Sequence, residues 1–298
     1  MKQYLVLDVG GSSIKYALID ENRNFIEKGK TDHAPKDSCE EFVEEVGKLY
    51  DLYADRIEGI GISMAGKLNP SDGYIVSAGN FPALQGKKLP EILKERCPVR
   101  IAVENDGRCA ALAELHYGCL QDVNDALVLV IGSGIGGSFI HNRELYYGRR
   151  YCATEFSVLR TEGDRTDLGS MWFFKNGIPG LIAMAKKALN TDRELNGIEI
   201  FRLANEGDER MLSGLDQFCQ SMAVQLYNLQ ALFDVEKIAI GGGISAQPLL
   251  FELTKKHLRE IYDGEAKYGL PPVMPEVIPC TYGNDANLLG AYYRLIHG

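Results

Sequence analysis

The sequence predicts an α/β protein built from two similar lobes. Strand-like apolar runs alternate along the chain with amphipathic helical patterns, which is typical of sheets covered by helices. A strand, a glycine-rich turn and a second strand open each half of the chain, at residues 4–19 and again at residues 126–140. This repeated plan predicts two lobes with a cleft between them.

The first half supplies strands and helices in alternation. Gly10 and Gly11 interrupt an apolar stretch, so the residues on either side predict two strands joined by a tight turn. Two later segments place apolar side chains near helical spacing. In chain order, the predicted strands are Tyr4–Val9, Ile14–Ile19, Ile57–Ser63 and Val99–Val103, and the predicted helices are Glu40–Leu52 and Gly107–Tyr117.

The second half repeats this plan after a polar junction at Gly118–Asn124. Residues 1–120 are therefore expected to form a smaller N-terminal lobe and residues 121–285 a larger C-terminal lobe. A helix at about 286–298 is expected to pack back on the first lobe. The further predicted strands are Ala126–Ile131, Ser138–Ile140 and Lys237–Ile240, and Ser245 with Pro248 marks the start of another helix.

Composition and charge exclude several classes of protein. The chain has 298 residues, of which 45% are hydrophobic and 24% charged, as in a globular protein of one or two domains. Its net charge of −9 opposes the basic surface that nucleic-acid binding requires. The longest apolar stretch, Ala126–Ile140, is too short and too glycine-rich for a membrane helix. The N-terminus lacks the apolar region of a secretory signal, so we expect a cytoplasmic protein.

The cysteines and histidines predict neither disulfide bonds nor a metal cage. The seven cysteines are scattered without a C-x-x-C pair, and the five histidines are dispersed. We therefore expect no zinc site.

The segment DVGGSSIK, residues 8–15, is the first candidate anion-binding loop. Gly10 and Gly11 allow close approach of the backbone, while Ser12 adds a hydroxyl group. The Asp8 carboxylate is suited to holding Mg²⁺, directly or through water. An ordinary hairpin turn is the alternative.

Two further glycine-rich loops follow strands. Residues 131–138, IGSGIGGS, have the G-x-G-x-x-G spacing of a dinucleotide fold, but a strand follows where that motif requires a helix. Gly61–Lys67 resembles a phosphate-binding P-loop, yet Leu68 stands where a hydroxyl side chain is needed. The third loop, Ile238–Ser245, is suited to an adenine ring or a phosphate. Three such loops at strand ends in one α/β chain favour a shared function.

Asp106 is the candidate catalytic carboxylate. It follows the predicted strand that ends at Val103 and precedes a helix, at the sheet edge where open α/β sheets build their sites. There it can act as a general base toward a substrate hydroxyl, with the Asn105 amide orienting neighbouring hydroxyl groups. Capping of the helix is the alternative role, and the two roles are compatible.

Taken in order, five segments resemble the repressor, ORF and kinase (ROK) family of sugar kinases over residues 5 to about 291. The segments are DVGGSSIK, GISMAGKLNP, ENDGRCAALAE, IGSGIGGS and DVEKIAIGGGIS. This resemblance implies the two-lobed actin-like, hexokinase-like ATPase fold, ribonuclease H-like in each lobe. It also implies an ATP- and Mg²⁺-dependent enzyme that phosphorylates the 6-hydroxyl of a hexose or β-glucoside, and it makes a homodimer the expected state.

The resemblance also implies roles for individual residues. Asp106 matches the catalytic base, and Asn105 the sugar-binding asparagine. Gly66 and, more loosely, Asn80 match loops that border the sugar, while Glu155 matches a ligand of sugar hydroxyls. The implied phosphate- and nucleotide-binding residues are Asp8, Gly10, Gly11, Ser12 and Lys15 in the first loop, Gly132, Ser133, Gly134, Gly136 and Gly137 in the second, and Gly241, Gly242, Gly243 and Ile244 in the third.

The chain departs from the family pattern where many members carry a zinc site. Val158 stands at the position of the family's histidine, and between Tyr151 and Lys175 there is one cysteine, Cys152, instead of three. The departure implies either a zinc-free branch similar to β-glucoside kinases or weakened catalysis. Trp172 lies where the zinc loop would be and is expected in the core, with stacking on a sugar ring as the alternative.

The sequence is compatible with three alternatives. N-acetylmannosamine kinase and glucokinase share the chemistry of the main hypothesis. A sugar-sensing protein without catalysis represents another class. A transcriptional repressor is disfavoured, because the first strand is expected to begin by Tyr4 without a preceding helix-turn-helix and the net charge is negative.

Overall fold

The computed structural model describes residues 2–163, 167–269 and 272–298. The chain folds into two compact units. Unit 1 consists of Met1–His116, Tyr147–Ala153 and Asp285–Gly298, and unit 2 consists of Tyr117–Tyr146 and Thr154–Asn284.

Unit 1 is built on a five-stranded mixed sheet. Its strands are β1 Gln3–Val9, β2 Ile14–Asp20, β3 Phe25–Lys30, β4 Ile57–Met64 and β7 Arg100–Asn105, and a separate hairpin consists of β5 Lys67–Asn69 and β6 Tyr74–Ser77. The strand order in the sheet is β3-β2-β1-β4-β7. The central strand β1 pairs antiparallel with β2 and parallel with β4, and β4 pairs parallel with β7.

The register of the parallel strands brings candidate residues to one edge of this sheet. Asp8 on β1 lies opposite Ser63 on β4, and Ser63 lies opposite Glu104 on β7. The next pair along β4 and β7 is Met64 with Asn105. The carboxyl ends of these strands therefore carry Asp8 and the Asn105–Asp106 pair on the same edge, where α/β sheets place their ligands.

Helices cover the sheet of unit 1, and the first of them starts at a side-chain cap. The helices are α1 Cys39–Asp51, α2 Leu89–Leu93, α3 Asp106–His116 and α9 Ala286–His297, with a 3₁₀ turn at Pro82–Leu84. The first, α1, begins after Ser38, whose hydroxyl accepts a hydrogen bond from the Glu41 N–H at 3.1 Å. The final helix, α9, belongs to unit 1.

Close approach of α3 and α9 depends on a glycine. A Cβ atom on Gly290 would lie only 1.9 Å from the carbonyl oxygen of Cys109 on α3. The absence of a side chain at this position lets the two helices approach closely, and it fixes α3 at the end that carries Asp106.

We expect Gly290→Ala to lower the free energy of unfolding by about 1–3 kcal/mol, because the added methyl group must push α3 and α9 apart. The matched control is Gly264→Ala in the helix Pro248–Ala266, where a Cβ would meet nothing within 4 Å. That control should raise stability by about 0.5–1 kcal/mol through reduced backbone entropy. Denaturant unfolding of both variants measures the effect, and equal responses would contradict the packing argument.

Unit 2 repeats the plan of unit 1. Its strands are β8 Ala126–Ile131, β9 Ile135–His141, β10 Glu144–Leu145, β11 Lys237–Gly242 and β12 Glu276–Pro279, in the sheet order β10-β9-β8-β11-β12. Strand β8 pairs antiparallel with β9 and parallel with β11, as β1 does with β2 and β4. The helices are α4 Trp172–Asn176, α5 Ile178–Leu189, α6 Gly197–Asn205, α7 Glu209–Phe233 and α8 Pro248–Ala266. The α/β prediction is confirmed.

Trp172 is part of the core of unit 2. Its side chain is fully buried, and its indole N–H donates to Asn176 Oδ1 at 2.9 Å. The Phe156 ring packs edge-on against it at a centroid distance of 6.3 Å. The core role is confirmed, and the alternative of stacking on a sugar ring is wrong because the ring has no exposed face.

The segment Tyr147–Ala153 packs with unit 1, although the predicted division placed it in the second lobe. Two hydrogen bonds hold it there. The Tyr147 hydroxyl donates to Glu104 Oε2 at 2.8 Å, and Arg108 Nη2 donates to the Tyr151 carbonyl at 3.0 Å. Polar side-chain partners far away in sequence, rather than an apolar pattern, determine where this segment lies.

Across the three described ranges, we find no helix with the length and apolar character needed to cross a membrane. The longest apolar stretch of the sequence forms β8 and most of β9 instead.

Candidate functional site

Asp8 lies largely buried at the carboxyl end of β1, where three side chains surround its carboxylate. Oδ1 accepts hydrogen bonds from Asn287 Nδ2 at 3.0 Å and from Ser63 Oγ at 3.3 Å. Oδ2 lies 3.5 Å from Lys15 Nζ. The structure therefore brings Asp8 and Lys15 together, as the motif predicts, and adds Ser63 and Asn287.

The surroundings of Asp8 fit Mg²⁺ held by one carboxylate and by water or phosphate oxygens. Mg²⁺ in phosphoryl-transfer sites commonly binds one or two carboxylates and keeps several water ligands. The neutral donors Ser63 and Asn287 both approach Oδ1 and fix the orientation of the carboxylate. The Lys15 ammonium, 3.5 Å from Oδ2, is a positive charge that opposes a cation there, but its side chain is 52% exposed and has room to turn toward a phosphate.

The first glycine loop lies close to Asn80 and Lys36. A Cβ atom on Gly11 would be 3.0 Å from Asn80 Nδ2 and 3.9 Å from Lys36 Nζ. The Gly10 N–H donates to the carbonyl oxygens of Asp8 and Ser13, each at 3.1 Å. The predicted residue Asn80 is thus next to the first loop, and Lys36 is a cation that the sequence motifs did not indicate.

Asn105 and Asp106 form a hydrogen-bonded pair at the start of α3. Asn105 Nδ2 donates to Asp106 Oδ1 at 2.9 Å and to the Gly66 carbonyl at 3.0 Å. The N–H of Gly107 also donates to Asp106 Oδ1, at 2.8 Å. The pair is therefore oriented by the loop that contains Gly66.

Asn105, and not Asp106, caps the start of α3. Asn105 Oδ1 accepts the N–H of Arg108, three residues ahead, at 3.2 Å, which is the contact of an N-cap side chain. Asp106 itself is the first residue of α3.

Gly66 can serve this loop only without a side chain. Its φ of +126° is a conformation that L-residues rarely adopt, and a Cβ would lie 2.3 Å from the Ser77 carbonyl oxygen.

In unit 2, the second glycine loop is shorter than the motif. The turn comprises Gly132–Gly134, and the Gly132 N–H donates to the Gly134 carbonyl at 2.9 Å. Gly136 and Gly137 belong to β9, where a Cβ on Gly137 would lie 2.0 Å from the Val128 carbonyl oxygen. At Gly137, pairing with β8 therefore leaves no room for a side chain. Because a strand follows the turn, the dinucleotide-fold alternative is excluded.

The third glycine loop, like the second, lies partly in a strand and partly in the turn that follows it or precedes it. Gly241 and Gly242 end β11, and Ile244 is buried in the core of unit 2. Gly243 has open space around its Cα, since a Cβ there would meet nothing within 4 Å. Ser245 does not cap the next helix, because its hydroxyl donates to the Gly242 carbonyl at 2.8 Å and α8 begins at Pro248.

Glu155 is exposed in unit 2, just before a 3₁₀ turn that is tied to the second glycine loop. Ser157 makes this connection through two hydrogen bonds. Its Oγ accepts the Ile135 N–H at 2.8 Å and donates to the Ile135 carbonyl at 3.1 Å. A Cβ on Gly134 would lie 2.8 Å from this oxygen. Ser157 thus positions the Glu155 segment against the glycine turn, a role that no sequence motif indicated.

Thr154, directly before Glu155, has a strained backbone. Its φ is +66°, in the left-handed region that β-branched residues rarely adopt. Its hydroxyl donates to the Gly137 carbonyl at 3.3 Å. Strain of this kind persists where surrounding contacts determine the conformation.

We expect Thr154→Gly to raise the free energy of unfolding by about 1 kcal/mol, because glycine adopts the left-handed conformation without steric cost. Thr281→Gly is the control, since Thr281 is exposed and is not among the residues with positive φ. That change should be neutral or destabilising. Urea unfolding of both variants tests the expectation, and a loss of stability in Thr154→Gly would contradict it.

The side chains needed for the family's zinc site are incomplete here, since valine replaces the histidine and Cys152 is the one cysteine between Tyr151 and Lys175. Val158, at the histidine position, is half exposed, and Cys152 is exposed. Within the described ranges, no cluster of three or more His, Cys, Asp or Glu side chains is arranged to hold a metal ion. That the protein works without zinc stays a prediction.

The candidate residues therefore fall into two groups. Unit 1 brings together Asp8, Lys15, the first glycine loop, Gly66, Asn80, Asn105 and Asp106, and unit 2 carries the second and third glycine loops and Glu155.

Comparison with known proteins identifies the family of the chain. The family model described as ROK family matches residues 4–297. A β-glucoside kinase of Listeria innocua is 30% identical over 97% of this chain and 96% of its own length.

Two solved structures show the same fold. A Listeria monocytogenes protein described as a candidate N-acetylmannosamine kinase superposes with a TM-score of 0.87 at 28% identity, covering 99% of this chain and 98% of its own. A ROK family glucokinase from Streptomyces griseus, solved with glucose and AMPPNP, superposes with a TM-score of 0.82 at 23% identity, covering 99% and 100%. The actin-like, hexokinase-like fold expected from the motifs is confirmed.

Proposed function

This chain belongs to the ROK family, and from that premise we propose that it transfers the γ-phosphoryl group of ATP to the 6-hydroxyl of a β-glucoside or hexose, with Asp106 as general base. The coarser class, a sugar kinase that uses a hydroxyl group as acceptor, is that of its named relatives. The finer assignments rest on the site.

The observation that carries the proposal is the shared sheet edge of Asp8 and the Asn105–Asp106 pair in unit 1. Strand register places both at carboxyl ends of parallel strands, with β4 between them. Phosphoryl transfer needs a group that accepts the proton of the attacking hydroxyl and groups that neutralise phosphate charge. The Asp106 carboxylate suits the first task.

The other side chains of unit 1 supply binding and orientation. Asn105 holds Asp106 through its amide and is suited to binding a sugar hydroxyl as well. Lys15 and Lys36 place ammonium groups near the first glycine loop, where they would attract phosphate oxygens. Asp8 would hold Mg²⁺, which when bound neutralises charge on the β- and γ-phosphates.

In unit 2, the Gly132–Gly134 turn and Gly243 expose backbone that can approach the nucleotide closely. Glu155 would accept hydrogen bonds from sugar hydroxyls. Removal of a proton by Asp106 and transfer of the γ-phosphoryl group to the resulting oxygen gives a sugar 6-phosphate and ADP.

A β-glucoside ranks first among the candidate acceptors for two reasons. The Listeria innocua relative is a β-glucoside kinase and shares 30% identity over nearly its whole length. Val158 stands at the position of the family's zinc-binding histidine, and Cys152 is one cysteine where the family has three, which favours a more open pocket for a larger acceptor. N-acetylmannosamine ranks second, since the Listeria monocytogenes neighbour is described as a candidate kinase for that sugar.

The test is ADP release from Mg-ATP across glucose, N-acetylmannosamine, fructose, cellobiose, gentiobiose and salicin. We expect turnover on cellobiose or gentiobiose to exceed that on the monosaccharides. Asp106→Asn is the inactive control. A zinc chelator that leaves Mg²⁺ available should not change the rate, and a large loss would reveal a metal site.

If no sugar in this panel caused ADP release, while sugar binding still raised the melting temperature, the kinase proposal would be contradicted. That outcome would favour a sugar-sensing protein without catalysis.

A further inference from the structure

A fully buried carboxylate lies directly before the Asn105–Asp106 pair. Glu104 is 0% exposed at the end of β7. Its Oε1 accepts the backbone N–H of Asn105 at 2.8 Å, and its Oε2 accepts the hydroxyl of Tyr147 at 2.8 Å. Both carboxylate oxygens therefore have a short hydrogen bond, one of them to the residue that orients Asp106.

Two arginines face the same carboxylate. Arg108 Nη1 lies 4.0 Å from Oε1, and Arg294 Nε lies 3.9 Å from Oε2. Burial raises the pKa of Glu104, whereas the Asn105 N–H, the two arginines and the Tyr147 hydroxyl oppose that shift. The surroundings thus combine two hydrogen bonds with two nearby positive charges.

Tyr147 is itself held in place. Its ring centre lies 4.8 Å from the guanidinium carbon of Arg108, a side chain that is 3% exposed. Arg108 also donates to the carbonyl of Tyr151 at 3.0 Å, which fixes the far end of the same segment. The hydroxyl of Tyr147 is therefore directed at Glu104 by contacts on both sides.

A purely stabilising role accounts poorly for this cluster. Burying a carboxylate and arginines costs desolvation energy that their attraction roughly offsets, so a well-packed apolar set would serve stability as well. The cluster instead ends on the N–H of Asn105, whose side chain donates to Asp106 Oδ1 and to the Gly66 carbonyl. Its contacts thus fix the direction of the catalytic pair.

We propose that Glu104 and Tyr147 are positioning residues that hold the Asn105–Asp106 pair in the orientation required for phosphoryl transfer. This inference rests on the proposed kinase function and deepens it. Glu104 fixes the Asn105 peptide, and Tyr147 fixes the Glu104 carboxylate. Glu104 is fully buried and the Tyr147 hydroxyl is bound to it, so their loss is expected to act on Asp106 through Asn105.

The first test is the kinetics of Glu104→Gln and Tyr147→Phe. Glutamine keeps the shape of Glu104, and phenylalanine keeps the ring against Arg108 while removing the hydroxyl. Because a misplacement of about 1 Å can cost 10²-fold in rate, we expect kcat to fall about 10- to 100-fold in each variant. The KM for Mg-ATP should change less than about threefold, since the loss concerns the orientation of Asp106.

The double variant distinguishes one chain of contacts from two separate effects. If Tyr147 acts through the Glu104 carboxylate, the double variant should lose no more kcat than Glu104→Gln alone, because Glu104→Gln already removes the carboxylate to which the Tyr147 hydroxyl donates. Multiplying losses would overturn the proposal.

Tyr292→Phe is the matched control, since its buried hydroxyl in unit 1 donates to the Glu21 carbonyl at 3.3 Å. It should lower the melting temperature slightly and leave kcat unchanged. The contrary result would be a Tyr147→Phe protein with a lower melting temperature but a wild-type kcat, measured at a temperature where the variant is fully folded. That result would show that the role of Tyr147 is structural and would contradict our inference.

A second measurement needs no substrate. Amide hydrogen exchange of the peptide containing Asn105 should be at least about tenfold faster in Tyr147→Phe than in Tyr292→Phe, because the Glu104 acceptor is no longer held. Unchanged exchange would overturn the positioning role. If the wild-type chain phosphorylated no sugar, the kinase proposal would fail, and exchange at Asn105 would still decide whether Tyr147 orders the pair.

Discussion

The Asp106→Asn variant is expected to fold like the wild type and to lose almost all turnover. Asparagine keeps an Oδ1 acceptor, so the hydrogen bonds from Asn105 Nδ2 and the Gly107 N–H are retained. It cannot accept the proton of the attacking hydroxyl. General-base catalysis contributes about 10²–10⁴-fold, so we expect kcat to fall by a factor in that range. Initial rates at saturating Mg-ATP and sugar measure it.

The KM for the sugar should change little, because Asn105, Glu155 and the glycine loops are untouched. Asp263→Asn is the matched control, because it also replaces a carboxylate by an amide, at an exposed position on α8 in unit 2. It should leave the rate unchanged. Near-normal turnover in Asp106→Asn would show that another group acts as base.

Local sequence patterns predicted the elements of the fold well. Strand β8 has the predicted bounds of Ala126–Ile131, and α1 begins one residue from its predicted start because Ser38 caps it. Apolar periodicity and caps act over a few residues, so a single sequence contains enough information to place them.

The partners of the candidate residues were harder to predict. Asp8 could be placed at a strand end from the motif, but its partners Ser63 and Asn287 lie 55 and 279 residues away along the chain. The contact with Ser63 could in principle be predicted from the sequence, because Ser63 ends a predicted strand that pairs with β1. Asn287 had no local signal, since its position depends on how α9 packs in unit 1.

Glycine spacing was the least reliable guide to which residues form the glycine-rich loops. Gly136, Gly137 and Gly242 match a loop motif, yet they lie in strands. At Gly137 and Gly242 the carbonyls of Val128 and Ile131 come within a distance that excludes a Cβ. A sequence does not distinguish a glycine required by a ligand from one required by a neighbouring strand.

Trp172→Ala should have the largest effect on stability of the substitutions considered for unit 2. The indole is fully buried against Phe156 and hydrogen-bonded to Asn176, which also binds the Phe218 carbonyl on α7. Removing it leaves a cavity and weakens the contact between α4 and α7. We expect the free energy of unfolding to fall by about 3–5 kcal/mol. Guanidinium unfolding followed by far-UV circular dichroism measures it, since the variant lacks the single tryptophan.

Phe174→Ala is the matched control on the same short helix. Its ring is 41% exposed, so truncation should cost no more than about 1 kcal/mol. Trp172→Phe is a further check on the packing argument. Core packing predicts a large loss of stability, and Trp172→Phe, which refills most of the cavity, should recover much of it with an unchanged sugar KM. A small loss of stability in Trp172→Ala would contradict the packing argument.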